Sequence, residues 1–160
     1  MSIKVGDKLP EAKFTVMGEG GPRPAPSSDV FAGKKVVLFA VPGAFTPTCS
    51  EAHLPGFVGL ADDLKAKGVD TVACTAVNDV FVLAAWSKVR DAGDITMLAD
   101  GNADFARALG LDLDLSAFGL GTRSKRYAMI VTDGVVDYLA IEDSPPEHIK
   151  ATADKVLASL

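Results

Sequence analysis

Uninterrupted apolar runs predict the strands at the centre of the fold. Residues 35–41 are apolar from the second position onward, and residues 69–77 are also mainly apolar. A strand without polar alternation is typical of a sheet that is covered on both faces. A shorter strand is predicted at Lys13–Met17, followed by a loop at Gly18–Ser28, and another strand at Ile95–Ala99.

The last predicted strands form a hairpin. Arg126–Thr132 and Val135–Ile141 are rich in β-branched and apolar residues, and Asp133-Gly134 separates them. Asp-Gly between two such runs is the strongest short signal for a two-residue turn. The preceding segment, Leu111–Thr122, is rich in Leu and Gly and is predicted to be a loop.

Helices are predicted between these strands. The first runs from about Cys49 to Lys67, and Pro55 inside it requires a kink or break because proline lacks an N–H. The others are predicted from Asn78 or Asp79 to about Arg90, from Asn102 to Leu109, and from the capping box Ser144–Glu147 to about Leu157. Strands separated by helices, followed by a hairpin and a final helix, predict an α/β protein with a mixed sheet. No internal repeat or linker interrupts residues 1–160, so one domain is expected.

Composition and charge limit the functions that the chain could perform. The net charge is −5, and the densest basic cluster is the short run Arg123–Arg126, which argues against a nucleic-acid or anionic-membrane partner. No apolar run has membrane-spanning length, and the N-terminus has no signal-peptide pattern. Two cysteines do not make a disulfide framework, so a reducing compartment, the cytoplasm or its equivalent, is expected.

Cys49 follows the first buried strand and a Pro42-Gly43 turn. Thr48 and Glu51 match a capping box that would place Cys49 at the first helical position, while Thr46 with Pro47 offers a second possible start. Either start puts the thiol in the first turn, where free N–H groups and the helix dipole stabilise negative charge. Cys49 is therefore predicted to be an activated thiolate rather than a buried apolar residue.

The order of elements and the position of the thiol resemble the thioredoxin fold, whose redox pair is C-x-x-C at a helix N-terminus. In this chain the four residues are Thr46-Pro47-Thr48-Cys49, with threonine in place of the first cysteine. The site therefore has no adjacent partner thiol and cannot act as a dithiol oxidoreductase.

The chain resembles the peroxiredoxins, specifically the peroxiredoxin 5-like, or plant type II, subfamily. The Pro-x-x-x-Thr-x-x-Cys motif of that family stands here as Pro42, Thr46 and Cys49. Further matching segments lie in order over nearly the whole chain: residues 41–50, 53–57, 69–74, 77–81, 125–127 and 133–134.

The resemblance implies a thiol peroxidase that reduces hydrogen peroxide and alkyl hydroperoxides through a sulfenic acid on Cys49. Thr46 would hold the thiolate and the attacked oxygen, and Arg126 would stabilise the developing negative charge. Pro42, without an N–H, would shield the sulfur. Strand register allows Arg126 to point inward or to be an exposed edge charge, and Arg123 competes for the role.

For the other candidate residues, the sequence allows either a structural or a functional role. His53 lies four residues after Cys49 and could act as its base, or could have a structural or hydrogen-bonding role. Two histidines are too few for a zinc site, and no bound cofactor is expected. Cys74 is interpreted as a buried inert thiol, the alternative being a resolving cysteine that would need local unfolding.

The partners expected from the resemblance are a peroxide, an external thiol reductant and a second copy of the chain. Some relatives have a resolving cysteine near the C-terminus, but residues 141–160 contain none, which favours glutathione with glutaredoxin, or thioredoxin. Apolar residues in predicted loops favour a homodimer near the active site: Phe45, Leu115, Phe118 and Leu120. The alternatives are a non-enzymatic thioredoxin-fold scaffold or holdase and a glutathione-linked transferase.

Overall fold

A seven-stranded sheet forms the centre of the protein. The computed structural model describes residues 2–160. Its strands are β1 (Lys13–Gly18), β2 (Gly21–Pro26), β3 (Lys35–Ala40), β4 (Thr71–Ala76), β5 (Thr96–Ala99), β6 (Asp112–Asp114), β7 (Thr122–Ser124), β8 (Tyr127–Thr132) and β9 (Val135–Ile141). The sheet has the order β2-β1-β5-β4-β3-β8-β9, and β6 pairs separately with β7. Because β3, β4 and β5 are parallel while β8, β9, β1 and β2 join antiparallel, the predicted α/β fold with a mixed sheet is confirmed.

The helices cover both faces of this sheet. They are α1 (Ser27–Phe31), α2 (Leu54–Ala66), α3 (Val80–Val89), α4 (Asp104–Leu109) and α5 (Ala153–Ala158), with a π-helical turn at Cys49–His53 before α2 and a 3₁₀ turn at Ser116–Phe118. Within residues 2–160 we find no helix of the length and apolar character needed to cross a membrane.

Strand β3 is buried on both faces, as its uninterrupted apolar sequence predicts. Residues 36–40 have no exposed surface. On one face Phe39 stacks on Phe57 of α2, with ring centroids 4.1 Å apart. On the other face Leu38 belongs to the same buried cluster as Phe105 of α4. The C-terminal end of β3 is therefore held rigidly by the core, and so is the start of the turn that follows it.

The prediction of a loop at Gly18–Ser28 is wrong, because most of this segment is the edge strand β2, which pairs with β1. Its prolines occupy alternate positions: Pro22, Pro24 and Pro26. Alternate residues of a strand turn their backbone groups to the same side, so all the missing N–H groups fall on the open edge, where no partner strand needs them. The same feature protects the edge from pairing with another chain.

Two further sequence predictions need correction. Leu111–Thr122 was expected to be a loop but contains β6, the 3₁₀ turn and the first residue of β7. The C-terminal helix begins at Ala153 rather than after the Ser144–Glu147 box, because Thr152 provides the cap by accepting a bond from the Lys155 N–H. Ser144 instead donates its hydroxyl to the Glu147 carboxylate.

One buried hydrogen bond attaches α3 to the turn before α2: Trp86 Nε1 donates to Ser50 Oγ at 2.9 Å. We expect Trp86→Phe to lower the free energy of unfolding by about 2 kcal/mol, because it opens a cavity and leaves a buried hydroxyl without its donor. Denaturant unfolding measures the change. Phe81→Leu, on the exposed side of the same helix, is the control and should change stability by less than about 0.5 kcal/mol. Equal losses in the two variants would contradict the assignment.

Candidate active site

The turn after β3 delivers Cys49 to the start of a helix. The first helical hydrogen bond runs from the Ser50 N–H to the Thr46 carbonyl, at 3.0 Å. Helical backbone therefore begins at Pro47, whose missing N–H costs nothing at that position. Of the two predicted helix starts, the one at Thr46-Pro47 is confirmed. Cys49 lies in the first turn and is completely buried.

The capping box predicted at Thr48 is wrong. Thr48 already has helical dihedral angles and accepts no capping bond. Its hydroxyl donates instead to the carbonyl of Pro146, at 3.3 Å. This contact ties the first helical turn to the loop that follows β9, so the residue serves tertiary packing rather than local capping.

A π-helical turn follows Cys49 and accommodates Pro55. The Leu54 N–H bonds to the Cys49 carbonyl, five residues back, rather than to the residue four back. Because Pro55 has no N–H to offer, the helix loses one regular bond at this point, and the wider turn places the proline at the start of α2. The break that the sequence predicts at Pro55 thus takes the form of a π turn next to the thiol.

Arg126 lies between β7 and β8 and points into the protein. Its side chain is only 2% exposed, and Nη2 lies 3.2 Å from the Cys49 sulfur. Of the two orientations open from sequence, the structure has the inward one. A fixed positive charge therefore lies at hydrogen-bond distance from the sulfur.

Every nitrogen of the guanidinium has an acceptor. Nε and Nη2 donate to the Pro145 carbonyl at 3.3 and 3.0 Å, and Nη1 donates to His53 Nδ1 at 3.0 Å. A buried charge is tolerated only when its hydrogen bonds are satisfied, so these partners keep the arginine in place beside the sulfur.

His53 is a neutral acceptor for the arginine. Its Nε2 donates to the Ala151 carbonyl at 2.9 Å, which leaves the lone pair on Nδ1 free to accept from Arg126. Burial lowers the pKa of His53 well below its usual range, and the charges of Arg126 and His148 lower it further. Since both ring nitrogens are engaged elsewhere, His53 does not pair with Cys49 as a base, and the hydrogen-bonding role is the one that the structure has.

Thr46 and Pro42 lie in the turn between β3 and Cys49. The Thr46 hydroxyl donates to the Gly43 carbonyl at 2.6 Å, so its oxygen lone pairs remain available to accept from a ligand. Pro42 is buried at the end of β3. Arg123, considered above for the role of Arg126, instead donates to the Pro42 carbonyl at 3.4 Å and to the Leu120 carbonyl at 2.9 Å.

An open cavity of about 520 Å³ leads to this group of residues. Its polar side chains are Thr46, Thr48 and Arg126, and the remaining walls are mainly apolar. The lining comprises Pro42, Thr46, Pro47, Thr48, Leu115, Phe118, Leu120, Arg126, Pro145 and Pro146. A small polar group could bind at the floor while an apolar substituent lies along the walls.

Cys74 is placed apart from this cavity, in the middle of β4. It is completely buried, and burial raises the pKa of its thiol well above the usual range, with the neighbouring Cys49 adding to the shift. A thiol that resists ionisation is a poor nucleophile. The environment is that of an inert core cysteine.

Sequence reasoning missed the segment after β9. Residues 142–151 supply the Pro145 and Ala151 carbonyls that Arg126 and His53 use. Backbone acceptors leave no mark in a sequence, and the capping box at Ser144 suggested a helix instead. The consecutive prolines 145 and 146 were the one signal that this segment would not become regular helix.

Comparisons with known proteins agree with the geometry. The family model described as Redoxin matches residues 4–157. The chain is 50% identical over 165 residues to Peroxiredoxin-2E-2, chloroplastic, of Oryza sativa subsp. japonica, an alignment covering 99% of this chain and 73% of that protein. It is 43% identical over 160 residues to Peroxiredoxin-2B of Arabidopsis thaliana, covering 99% and 98% respectively. Reduced Prx3 from Vibrio vulnificus in complex with hydrogen peroxide superposes with a TM-score of 0.94 at 53% identity, over 98% of both chains.

The neutral state of buried His53 predicts how stability depends on pH. The unfolded chain binds a proton at this histidine below about pH 6.5, whereas the folded protein does not, so acid favours unfolding. The free energy of unfolding should fall as the pH decreases from about 6.5, by up to about 1.4 kcal/mol per pH unit, and His53 should add no slope above that pH.

Denaturant titrations across this range should show a shallower pH slope in His53→Gln than in the wild type. His148→Gln is the control, because His148 is less buried and its pKa is lowered less, so its removal should change the slope less. Identical slopes in wild type and His53→Gln would refute a neutral His53 in the folded state.

Proposed function

The chain belongs to the redoxin family and is a peroxiredoxin, a thiol-dependent peroxidase, and we propose that Cys49 is the sulfur that attacks the peroxide. Solved peroxiredoxin structures superpose on it almost completely, so the predicted thioredoxin-like fold is confirmed. One observation supports Cys49 above all: its sulfur lies 3.2 Å from a buried arginine at the bottom of an open cavity.

The first half of the reaction is a two-electron transfer from sulfur to the peroxide. The Cys49 thiolate attacks the terminal oxygen of the peroxide, a sulfur–oxygen bond forms, and the oxygen–oxygen bond breaks. The leaving oxygen takes up a proton and departs as water or an alcohol. Cys49 remains as a sulfenic acid.

Arg126 stabilises charge in this step. Its Nη2 already faces the sulfur, and negative charge moves from the sulfur to the leaving oxygen as the bonds exchange. A donor that is fixed before the reaction needs no reorganisation during it, which is the main source of electrostatic catalysis. We assign Arg126 to this role.

Thr46 and Pro42 complete the proposed site. The Thr46 hydroxyl donates its hydrogen bond to the Gly43 carbonyl, so its oxygen can accept a hydrogen bond from the attacked peroxide oxygen and align it with the sulfur. Pro42 lines the cavity, and we assign to its ring, which has no N–H, the role of limiting the access of water to the sulfur.

The shape of the cavity supports both small and alkyl-substituted peroxides as substrates. Hydrogen peroxide needs only the polar floor at Thr46 and Arg126. An alkyl hydroperoxide would in addition place its carbon chain against Leu115, Phe118 and Leu120.

A thiol from outside the chain is proposed to reduce the sulfenic acid. The external thiol condenses with Cys49, releasing water and leaving a mixed disulfide, and a second thiol releases Cys49 in its reduced form. Cys74 is unsuited to this role because it is completely buried and resists ionisation. Glutathione with glutaredoxin, or thioredoxin, is the proposed reductant, and the cytoplasm or an equivalent reducing compartment is the proposed location.

We further propose a homodimer formed through the mouth of the cavity. We call Phe45, Phe118 and Leu120 the apolar rim; their exposed fractions are 50%, 77% and 36%. Phe45 also has a left-handed backbone, with φ of 65°. Such a conformation is disfavoured for phenylalanine, so the turn keeps an aromatic ring in solvent at an energetic cost. Contact with a second copy would bury the side chains of the apolar rim.

Cys49→Ser should abolish peroxide consumption, because serine cannot form the sulfenic acid. Cys74→Ala should keep most of the activity with the glutathione–glutaredoxin or thioredoxin system. Peroxide consumption with each reductant, on the wild type and both variants, measures this. Turnover by Cys49→Ser would exclude the mechanism, and loss of activity in a folded Cys74→Ala protein would assign a resolving role to Cys74. Peroxide-independent conjugation of glutathione would favour a transferase instead.

Phe118→Glu should shift the protein toward monomer by placing a charge in the proposed interface. Val89→Glu is the matched control, because Val89 is 68% exposed but lies outside the apolar rim, on α3. Sedimentation velocity at several concentrations reports the oligomeric state. If Phe118→Glu and Val89→Glu sediment alike, the apolar rim is not the interface.

A further inference from the structure

Glu142 is a buried carboxylate that the reaction described above does not use. It follows β9 directly and is 4% exposed. Its backbone N–H bonds to the Arg126 carbonyl at 2.9 Å, so the two residues are neighbours at the end of the β8–β9 ladder. Burying a carboxylate costs free energy unless its oxygens accept hydrogen bonds, so its hydrogen-bond partners indicate its role.

One oxygen of this carboxylate accepts hydrogen bonds from three consecutive backbone N–H groups. Oε2 accepts from the N–H groups of Ile149, Lys150 and Ala151, at 2.8, 2.7 and 2.8 Å. Oε1 has no hydrogen-bond partner among residues 2–160. The carboxylate thereby closes the loop of residues 143–148 and fixes the orientation of the peptide groups at its far end.

The loop closed in this way provides the acceptors that position Arg126. The Pro145 carbonyl, within the loop, accepts directly from the guanidinium. The Ala151 carbonyl, at the closure point, accepts from His53 Nε2. That second bond decides which nitrogen of His53 carries the proton, and hence whether Nδ1 can accept from the arginine.

We propose that Glu142 is a positioning residue for the peroxidase reaction: by anchoring residues 149–151 it holds His53 in the tautomer that directs Arg126 onto the Cys49 sulfur. The inference rests on the proposed function of Cys49 and Arg126. Without the anchor, the Ala151 carbonyl turns away and His53 is free to place its proton on Nδ1. An N–H at Nδ1 would oppose the N–H of Arg126 and displace the guanidinium from the sulfur.

The chain offers variants that separate this role from charge and from general stability. Glu142→Leu removes the acceptor of all three N–H groups. Glu142→Gln keeps an acceptor oxygen at the position of Oε2 and places its amide nitrogen where Oε1 has no partner, so it should preserve the loop. Asp143→Asn is the matched control for lost charge, since Asp143 is an exposed neighbour whose contact is the side chain of Lys150.

The decisive measurement is the rate at which hydrogen peroxide oxidises reduced Cys49 in a single turnover. Trp86, the only tryptophan, bonds to Ser50 beside Cys49 and supplies the fluorescence signal. Glu142→Leu should react more slowly on the order of ten- to hundredfold, the scale of loss that a displacement of about 1 Å produces. Glu142→Gln and Asp143→Asn should stay within about threefold of the wild type.

Nitrogen-15 spectra of the histidine ring provide a readout that a merely structural role would not change. Reduced wild-type protein should show His53 protonated at Nε2 only, and Glu142→Leu should show a mixture of tautomers. A folded Glu142→Leu protein with the wild-type rate and tautomer would overturn the proposal. If that variant does not fold, wild-type His53 protonated at Nδ1 would overturn it equally. Absence of peroxidase activity in the wild type would instead refute the proposed function.

Discussion

A buried guanidinium is the constraint on which the site depends. Arg126 is almost completely removed from water, and an unpaired charge there would cost several kcal/mol. Its acceptors come from separate parts of the chain: the Cys49 sulfur in the first helical turn, His53 in the π turn, and the Pro145 carbonyl after β9. Satisfying one cation therefore brings distant segments to a single point. The same arrangement places a positive charge beside the Cys49 sulfur.

The sheet sets the distance between the two central groups. Strands β3 and β8 are antiparallel neighbours, and Ala40 at the end of β3 pairs with Tyr127 at the start of β8. The turn that follows Ala40 and the residue that precedes Tyr127 consequently lie at the same edge. Both strands are buried on both faces, so this edge cannot shift without disturbing the core. The positions of Cys49 and Arg126 are therefore fixed by the buried strands that precede and follow them.

Local sequence signals predicted the features that depend on neighbouring residues, and they failed mainly where contacts between distant segments decide the structure. The buried strands, the Asp133-Gly134 turn with φ values of 48° and 79°, and the helix start at Pro47 all depend on residues close in the chain. The Thr48 capping box failed because the Thr48 hydroxyl donates to the distant Pro146 carbonyl. The Ser144 box failed because the Ser144 hydroxyl donates to the Glu147 carboxylate instead of accepting from the Glu147 N–H. β2 was missed because prolines usually exclude a strand, and only their position at the edge permits one. The carbonyl acceptors around Arg126 were missed because every residue has a main-chain carbonyl, so the sequence does not indicate which ones will bind the arginine or its neighbours.

The π turn has a consequence for access to the buried sulfur. Cys49 has no exposed surface, so a disulfide with another protein requires the backbone around it to move first. The helix around the sulfur is already short of one regular bond because of Pro55, so opening this turn breaks one bond fewer than opening a continuous helix would. The proline that interrupts the helix therefore lowers the cost of exposing the sulfur to a partner as large as a protein.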